Sequence, residues 1–379
     1  MLKKKVLFLG AFQEPGGEEE VITYLYKHLD RTRFEPFLCG PFRSEFFDKH
    51  GIGREEILEL DMNGMTDIAS MRKLAGYIDR YGIDLVHSHG NRGGLFGRVS
   101  TFLSKTRPVS VWTCHLLIEE NDYTLSKLRK KIYSNVEYFL SNRMTDHVVT
   151  VSNDLQTKYR AHCSSRKITT IHNGIDTTKY YGEKPLADRK KTFTFGFVSR
   201  MSKQKGLPYL IEGWKKLTDR YKDADVTLKL VLAGSGEEEQ PTKELVRQYG
   251  LEDTVTFLGF RKDIPELLNR IDVLVLPSLF EGLPMIVLES LCSGTPVVAS
   301  RVNGVPEVIE DKHNGRLVTP RHVDELAEAM AYYVEEPDRI ALHGARGQEL
   351  VTGQFTKEAM LNKHAQLYSV LLEERGRAI

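Results

Sequence analysis

No apolar run in the 379 residues approaches the roughly 18 that span a bilayer, so no transmembrane helix is expected. The four cysteines, Cys39, Cys114, Cys163 and Cys292, lie far apart without a CxxC pair. That argues against a zinc site and a disulfide framework and points to a reducing cytoplasm. Neither sign of charge prevails: 53 Lys and Arg against 52 Asp and Glu leave a formal net charge of +1. Whole-molecule attraction to nucleic acid is therefore not expected, and recognition of a polyanion must be local. The dinucleotide fingerprint GxGxxG is missing, since Gly10 is followed by Ala11 and Phe12, and nicotinamide or flavin chemistry loses its best support. The opening MLKKKVLFLGAF imitates a signal peptide, but its short apolar run leads into Gln13, Glu14 and Pro15 without a small-residue cleavage site. Lys5–Leu9 reads instead as a first buried strand.

What the sequence does have is an alternation of short β-branched and aliphatic runs with longer stretches of helical period, the mark of βαβ units around parallel sheets. Strands are expected at Lys5–Leu9, Pro36–Cys39, Leu85–Ser88, Val109–Thr113, His147–Val151 and Lys167–His172, and again at Thr192–Ser199, Val226–Ala233, Val255–Leu258, Val273–Pro277, Pro296–Ala299 and Arg316–Val318. The length suits two domains. Polar Thr177–Lys191, with Pro185 and no apolar period, reads as the linker between a domain of residues 1–180 and one of residues 192–355. Residues 356–379 are helical, with Met360, His364, Leu367 and Leu371 at helical spacing. The expected fold class is α/β, two doubly wound Rossmann-like sheets facing across a cleft at the carboxyl ends of their strands.

Residues just after strands are then the informative ones. Gly16–Gly17 precede a helix whose first turn holds Glu18 to Glu20, which lets a ligand come close to the helix start. A merely flexible turn is the plainer reading. DLVHSHGNRGGLFGR offers His87, His89, Asn91 and Arg92. HxH without a third ligand nearby is a poor metal site. His115 lies just past another strand, where it either meets a ligand or is a satisfied structural histidine; position alone does not separate the two. Arg200 and Lys205, with Gly206, suit a diphosphate, because arginine brings a planar fork and lysine a mobile charge. Gly234, Ser235 and Gly236 allow close backbone approach, a weak signal alone.

FEGLPMIVLES sets Glu281 and Glu289 in an apolar run. Leu279 to Gly282 read as a loop, Pro284 suits the first turn of a helix, and Ile286, Val287, Leu288 and Leu291 form its buried face. The amides of that first turn favour an anion. A long ligand reconciles the carboxylates with the anion: sugar hydroxyls on Glu281, phosphates on the amides, Arg200 and Lys205, and a ribose diol on Glu289. A nucleotide sugar has that shape.

At these residues the chain resembles the retaining nucleotide-sugar glycosyltransferases of family 4, which have the GT-B fold. The likeness runs through HSHGNRGGLFGR, TCH, VSNDL, HNGID, SRMSKQKG, LAGSGEEE, FLGF, PSLFEGLPMIVLES, GTPVVAS, GVPEVI and NGRLV, in the family's order. It implies an acceptor-binding first domain, a donor-binding second one, and a final helix that crosses back onto the first. It also implies that Glu281 meets the donor sugar and Glu289 the ribose, and that Gly282, Leu283 and Pro284 lie along sugar and diphosphate. Arg200 and Lys205 hold the diphosphate, with Gly234 nearby and Gly17 abutting it from the first domain. His115 lies beside the reacting sugar, and His89, Asn91 and Arg92 are acceptor-side candidates. No cofactor or metal is required, and a UDP-sugar is the expected donor.

The mechanism implied is transfer with retention by front-face attack, the leaving phosphate taking the acceptor's proton, since no carboxylate is placed as a covalent nucleophile. Lys205→Ala is expected to depress turnover far more than folding. The product class is a bacterial exopolysaccharide, capsule, glycolipid or related glycan, made on a glycan or lipid-linked acceptor. A nucleotide-sugar epimerase, a phosphorylase of the same fold and a non-catalytic sugar-nucleotide-binding subunit are the alternatives. In SKLRKKIYSNVEYFLSNR, the stripe Leu128, Ile132, Val136, Phe139 and Leu140 reads first as core and the charges as a solvated face. The second reading is a basic helix on an anionic surface, which makes the protein cytoplasmic and peripheral on the inner membrane face.

Overall fold

In the computed structural model the described residues are 2–11, 16–117, 126–164, 167–182 and 191–377. They fall into two compact units, Met1–Asn173 with Lys357–Ile379, and Gly174–Thr356. The first is built on seven strands: β1 Lys4–Leu9, β2 Phe34–Gly40, β3 Ile57–Glu59, β4 Leu85–His89, β5 Val109–Cys114, β6 His147–Thr150 and β7 Ile168–Thr170. They lie in the order β3-β2-β1-β4-β5-β6-β7, every neighbour parallel. The second has β8 Thr192–Val198, β9 Thr227–Ala233, β10 Val255–Gly259, β11 Val273–Leu276, β12 Val297–Ser300 and β13 Gly315–Val318. Their order is β10-β9-β8-β11-β12-β13, again all parallel.

Helices cover both faces of such sheets, which is why central strands are apolar without alternation: Val6, Leu7, Phe8 and Leu9 are all fully buried. The helices show the complementary one-sided pattern. Leu207–Arg220 buries Leu207, Leu210, Ile211, Trp214 and Leu217, a 3–4 spacing that keeps one stripe on the sheet. Ile68–Tyr81 begins where Asp67 accepts from the Ser70 amide at 3.0 Å and stops at Gly82, whose φ of 61° ends a helix without strain. The edge strand β3, three residues of which none is buried, is too short to leave an apolar signature and has no counterpart among the expected strands.

The chain leaves the first unit after Asn173, earlier than the boundary read from composition. The Ile175 amide donates to Phe355 O at 2.9 Å, and the Cys292 thiol lies on Thr177 O at 3.7 Å, so these residues belong to the second unit. Most of the linker, residues 183–190, lies outside the described residues. The last helix, Lys357–Arg377, packs into the first unit, with Met360 and Tyr368 buried among Phe8, Phe34 and Leu38 and Arg33 donating to Ser369 Oγ at 2.7 Å. Burying Met360 alone contributes about 1.5–3 kcal/mol.

The helix Lys127–Arg143 corrects the sequence reading. Leu140 is core, but Leu128, Ile132, Val136 and Phe139 face solvent, and the buried side carries Ser134, Glu137 and Ser141. The cause is Arg98, fully buried and stacked 4.4 Å from the Trp112 ring centroid. A buried guanidinium requires a carboxylate, and Glu137 supplies it through both oxygens, the Nη2 bond being 2.8 Å. Satisfying Arg98 fixes which face turns inward.

Strand order reverses between β1 and β4 in the first unit and between β8 and β11 in the second. The crevice beyond the carboxyl ends of strands at such a reversal is where open α/β sheets take ligands.

Candidate active site

In the second unit that crevice is lined by the residues after β8 and β11. Beyond β8, exposed Arg200 is followed by a short turn Lys203–Lys205 and then by Gly206. Beyond β11, Ser278 to Gly282 lead into the helix Met285–Cys292. Lys205 and Glu281 meet there, Nζ to Oε1 at 2.6 Å, with side chains only 12% and 6% exposed. The Ser278 hydroxyl donates to the same oxygen at 2.6 Å, and Gln204 Nε2 donates to Oε2 at 3.3 Å and to Phe280 O at 2.8 Å. Asn303 Oδ1 accepts from the Glu281 amide at 2.8 Å. Gln204, Ser278 and Asn303 were absent from the sequence reading; the first two flank its chosen residues within SKQKG and PSLFEG, and Asn303 is distant in sequence.

The helix that follows is open at its start. Pro284 is the cap residue rather than a first-turn residue, in extended conformation, and no side chain caps the helix. The Val287 amide donates to Pro284 O at 3.1 Å, which leaves the Met285 and Ile286 amides and the helix dipole to an anion. Glu289, in the second turn, is half-buried, and so is Ile286, which therefore shares the Glu289 face instead of joining Val287, Leu288 and Leu291 in the core. Leu283 is buried and Gly282 half-buried ahead of the helix. Gly234 is explained by its neighbour: a Cβ there would stand 1.9 Å from Ser199 O, so the loops after β8 and β9 meet backbone to backbone. That close approach holds Arg200 against the β9 loop.

In the first unit the helix Gly17–His28 begins directly at Gly17. The Glu18 carboxyl is wedged beside Gly90, at the carboxyl end of β4, and accepts from the Ala11 backbone; burial pushes it up to about 7. Asn91, exposed, and Arg92, half-buried, start the helix Asn91–Leu103, and Arg92 donates to Met62 O at 3.4 Å. The paired glycines after them serve packing, since a Cβ on Gly94 would meet Trp112 Nε1 at 2.2 Å.

β4 and β5 bring three histidines into line, and the last helix adds a fourth. His115, half-buried, is 3.2 Å through Nε2 from His89 Nδ1. His87 stands beside His89, its Nδ1 2.6 Å from the Tyr368 hydroxyl and its Nε2 2.7 Å from Thr113 Oγ1. Both His87 nitrogens are thus committed to protein partners, which leaves no ligand atom for the HxH metal reading. His364 Nδ1 donates to Met360 O at 2.9 Å. Desolvation holds all four neutral: His87 and His89 lie well below the usual histidine range, and His115 and His364 at about 4.

His89 is fully buried and presents nothing to an acceptor; its place is behind His115. Its Nε2 is buried without a hydrogen-bond partner. An orphaned N–H is rarer and costlier than a bare acceptor, so the His89 proton belongs on Nδ1 and is donated to His115 Nε2. His115 then carries its own proton on Nδ1, and offers a ligand a hydrogen-bond donor rather than a base.

Two families account for most of the chain. Glycosyltransferase Family 4 matches residues 15–179 and Glycosyl transferases group 1 matches residues 183–348. HepE of Anabaena, solved in complex with UDP-glucose, superposes with a TM-score of 0.82 at 23% identity, over 97% of this chain and 99% of its own. The architecture is therefore GT-B. Alpha-maltose-1-phosphate synthase of Mycolicibacterium smegmatis is 30% identical over 313 residues, 75% of this chain and 78% of that protein. The UDP-Gal:alpha-D-GlcNAc-diphosphoundecaprenol alpha-1,3-galactosyltransferase of Escherichia coli is 28% identical over 282 residues, 72% of each chain. This chain belongs to the glycosyltransferases of the group 1 and family 4 kind.

Proposed function

We propose that the protein is a retaining hexosyl- or N-acetylhexosaminyltransferase that moves a sugar from a UDP-sugar to a hydroxyl of a glycan or lipid-linked acceptor, in bacterial polysaccharide or related glycan synthesis. The observation that carries the reading is the Lys205–Glu281 pair, buried at the β8/β11 reversal beside the uncapped start of helix Met285–Cys292. A carboxylate for sugar hydroxyls, a cation and a set of oriented amides for phosphate are the parts a nucleotide sugar needs. UDP-glucose in HepE and the diphosphoundecaprenol acceptor of the E. coli relative support this donor and acceptor. An epimerase, a phosphorylase or a non-catalytic subunit is not favoured by relatives that are transferases or synthases.

In this mechanism the leaving diphosphate gathers negative charge as the bond to the anomeric carbon lengthens. Lys205, Arg200 and the amides after Pro284 stabilise that charge, and one such donor is commonly worth about 2.7–4 kcal/mol. Glu281 orients sugar hydroxyls, Glu289 holds the ribose, and the phosphate oxygen takes the acceptor's proton. His115 donates to the reacting sugar through Nδ1–H. Gly17, Asn91 and Arg92 belong to the first unit's share, and no metal or other cofactor takes part. The setting is the cytoplasmic face of a membrane; among the described residues no helix is long and apolar enough to cross one.

The test is a thermal-shift screen across UDP-, GDP- and ADP-sugars, followed by transfer and assignment of the product anomer by NMR. A UDP-sugar is expected to raise the midpoint most, and the new bond is expected to keep the donor's configuration. An inverted product removes the retaining mechanism, and a stronger shift with another nucleotide removes the UDP assignment.

A further inference from the structure

The helix Lys127–Arg143 is inside out. Its inner face is polar: Ser134, Glu137 and Ser141 are buried, and Glu137 accepts from Arg98 at 2.8 Å and from the Tyr159 hydroxyl at 3.1 Å. Its outer face is apolar, with Leu128, Ile132, Val136 and Phe139 exposed by 69, 52, 40 and 56%. Residues at this spacing form one continuous stripe. The buried network with Arg98 locks the orientation, so the stripe has no route back into the core.

The charges are equally one-sided. Lys127, Arg129 and Lys131 are exposed at the amino end, with half-buried Lys130 between them, and Arg143 is exposed at the other end. Glu137 is the sole acidic residue of the helix, and it faces inward. Cations in a first turn oppose the helix dipole and destabilise the helix. Lys127, Arg129 and Lys131 are exposed in spite of that cost, and their placement suits something outside the fold. A second copy of this chain is a poor occupant, because a two-fold contact through this face offers Lys127, Arg129 and Lys131 no acidic partner on the facing helix, whose one carboxylate, Glu137, is turned inward. An anionic bilayer matches both features: apolar side chains enter the acyl boundary and the flanking cations meet lipid phosphates. From Leu128 to Phe139 the stripe is about 16 Å long at 1.5 Å per residue, so it lies in the interface and does not span.

We propose that the outer face of Lys127–Arg143 docks the protein on an anionic lipid bilayer, with Leu128, Ile132, Val136 and Phe139 inserted and Lys127, Arg129 and Lys131 on the headgroups. This deepens the reading of a lipid-linked acceptor and rests on it for purpose, while the geometry stands without it.

The experiment is co-sedimentation of the full chain with vesicles of phosphatidylcholine alone and of phosphatidylcholine mixed with phosphatidylglycerol. Binding is expected only to the mixed vesicles and falls as salt rises. Ile132→Ser/Phe139→Ser lowers partitioning on the order of a hundredfold, since each of the two inserted apolar side chains is worth roughly a factor of ten. Lys127→Gln/Arg129→Gln/Lys131→Gln does the same. Both variants keep the wild-type circular dichroism and the donor-induced thermal shift, because the changed residues are on the surface and outside the donor site. Equal binding to neutral vesicles, undiminished binding by the serine variant, or a serine variant that converts a dimer to a monomer in ultracentrifugation overturns the proposal. Vesicle binding by a protein that shifts with no nucleotide sugar keeps the docking face and overturns the transferase reading, so the two fail separately.

Discussion

Lys205→Met separates what the Lys205–Glu281 pair does for the fold from what it does for transfer. With side chains 12% and 6% exposed and 2.6 Å between Nζ and Oε1, the pair is a buried one. Removing one partner of a buried pair costs about 3–5 kcal/mol, because the other charge is stranded. Here Glu281 keeps bonds from Ser278 at 2.6 Å and Gln204 at 3.3 Å, which holds the cost to the lower end, about 3 kcal/mol. The sequence alone led to an expectation of lost turnover with little effect on folding; burial adds a folding penalty. Glu281→Gln in the Lys205→Met background removes the stranded charge and is expected to recover most of that stability. It is not expected to recover transfer, which falls by about 100- to 1,000-fold when one donor to the developing charge is lost. Urea midpoints at constant m-value report the stability of both variants against the wild type, and single-turnover release of the nucleoside diphosphate reports the chemistry. A penalty below about 1 kcal/mol for Lys205→Met shows that the pair is not buried in solution. A double variant that regains transfer along with stability shows that Lys205 works by holding Glu281 and not on the diphosphate.

The histidine row predicts acid lability. Because His115 and His364 titrate at about 4 in the folded protein against an ordinary value of 6.5, their contribution is full above 6.5 and is lost as pH falls towards 4. The upper bound is roughly 3 kcal/mol for each group, and His364→Phe is expected to flatten the fall in thermal midpoint over that window; an unchanged pH profile refutes the buried neutral state. Glu18 runs the other way: its carboxyl, raised from 4.5 to about 7, favours the folded state most below 4.5 and loses that advantage as pH rises through 7. Glu18→Gln is therefore expected to stabilise by roughly 1–3 kcal/mol near pH 8 and little near pH 5, read from denaturant midpoints. Glu289→Ala is expected to raise the donor KM about 10- to 100-fold with kcat within a few-fold, since the ribose contact proposed for Glu289 would persist from ground state to transition state.

How much was legible follows from what each signal depends on. Central parallel strands are apolar on both faces, so Val6–Leu9 and Leu274–Leu276 announce themselves, whereas β3 is short, buries none of its residues and leaves no pattern. Spacing showed that Leu128, Ile132, Val136 and Phe139 share a face. It did not show which way the face turns, because that is decided by Arg98, far away in sequence and fully buried. Glu281 and Lys205 were legible as charges at strand ends; their contact with each other required the adjacency of β8 and β11. The histidine row needed more still, since the Tyr368 hydroxyl that holds His87 arrives on a helix from the other end of the chain.

The paired state of Glu281 is compatible with donor binding, and the hydrogen-bond count shows why. A carboxylate offers about four lone-pair positions. Lys205 and Ser278 occupy Oε1 and Gln204 takes one position on Oε2, which leaves Oε2 able to accept one sugar hydroxyl. An ammonium has three donors, and Lys205 spends one on Glu281, so it can turn another to a phosphate without breaking the pair. In the proposed mechanism Lys205 would then meet the leaving group while its charge stays neutralised in the unliganded protein, and no buried ion would be exposed or abandoned when the donor arrives or departs. The same arrangement assigns selectivity to a single oxygen. A donor whose sugar cannot place a hydroxyl on Oε2 leaves that lone pair buried and unmet, at about 1–3 kcal/mol, enough for roughly five- to 150-fold discrimination between sugars that differ at one hydroxyl.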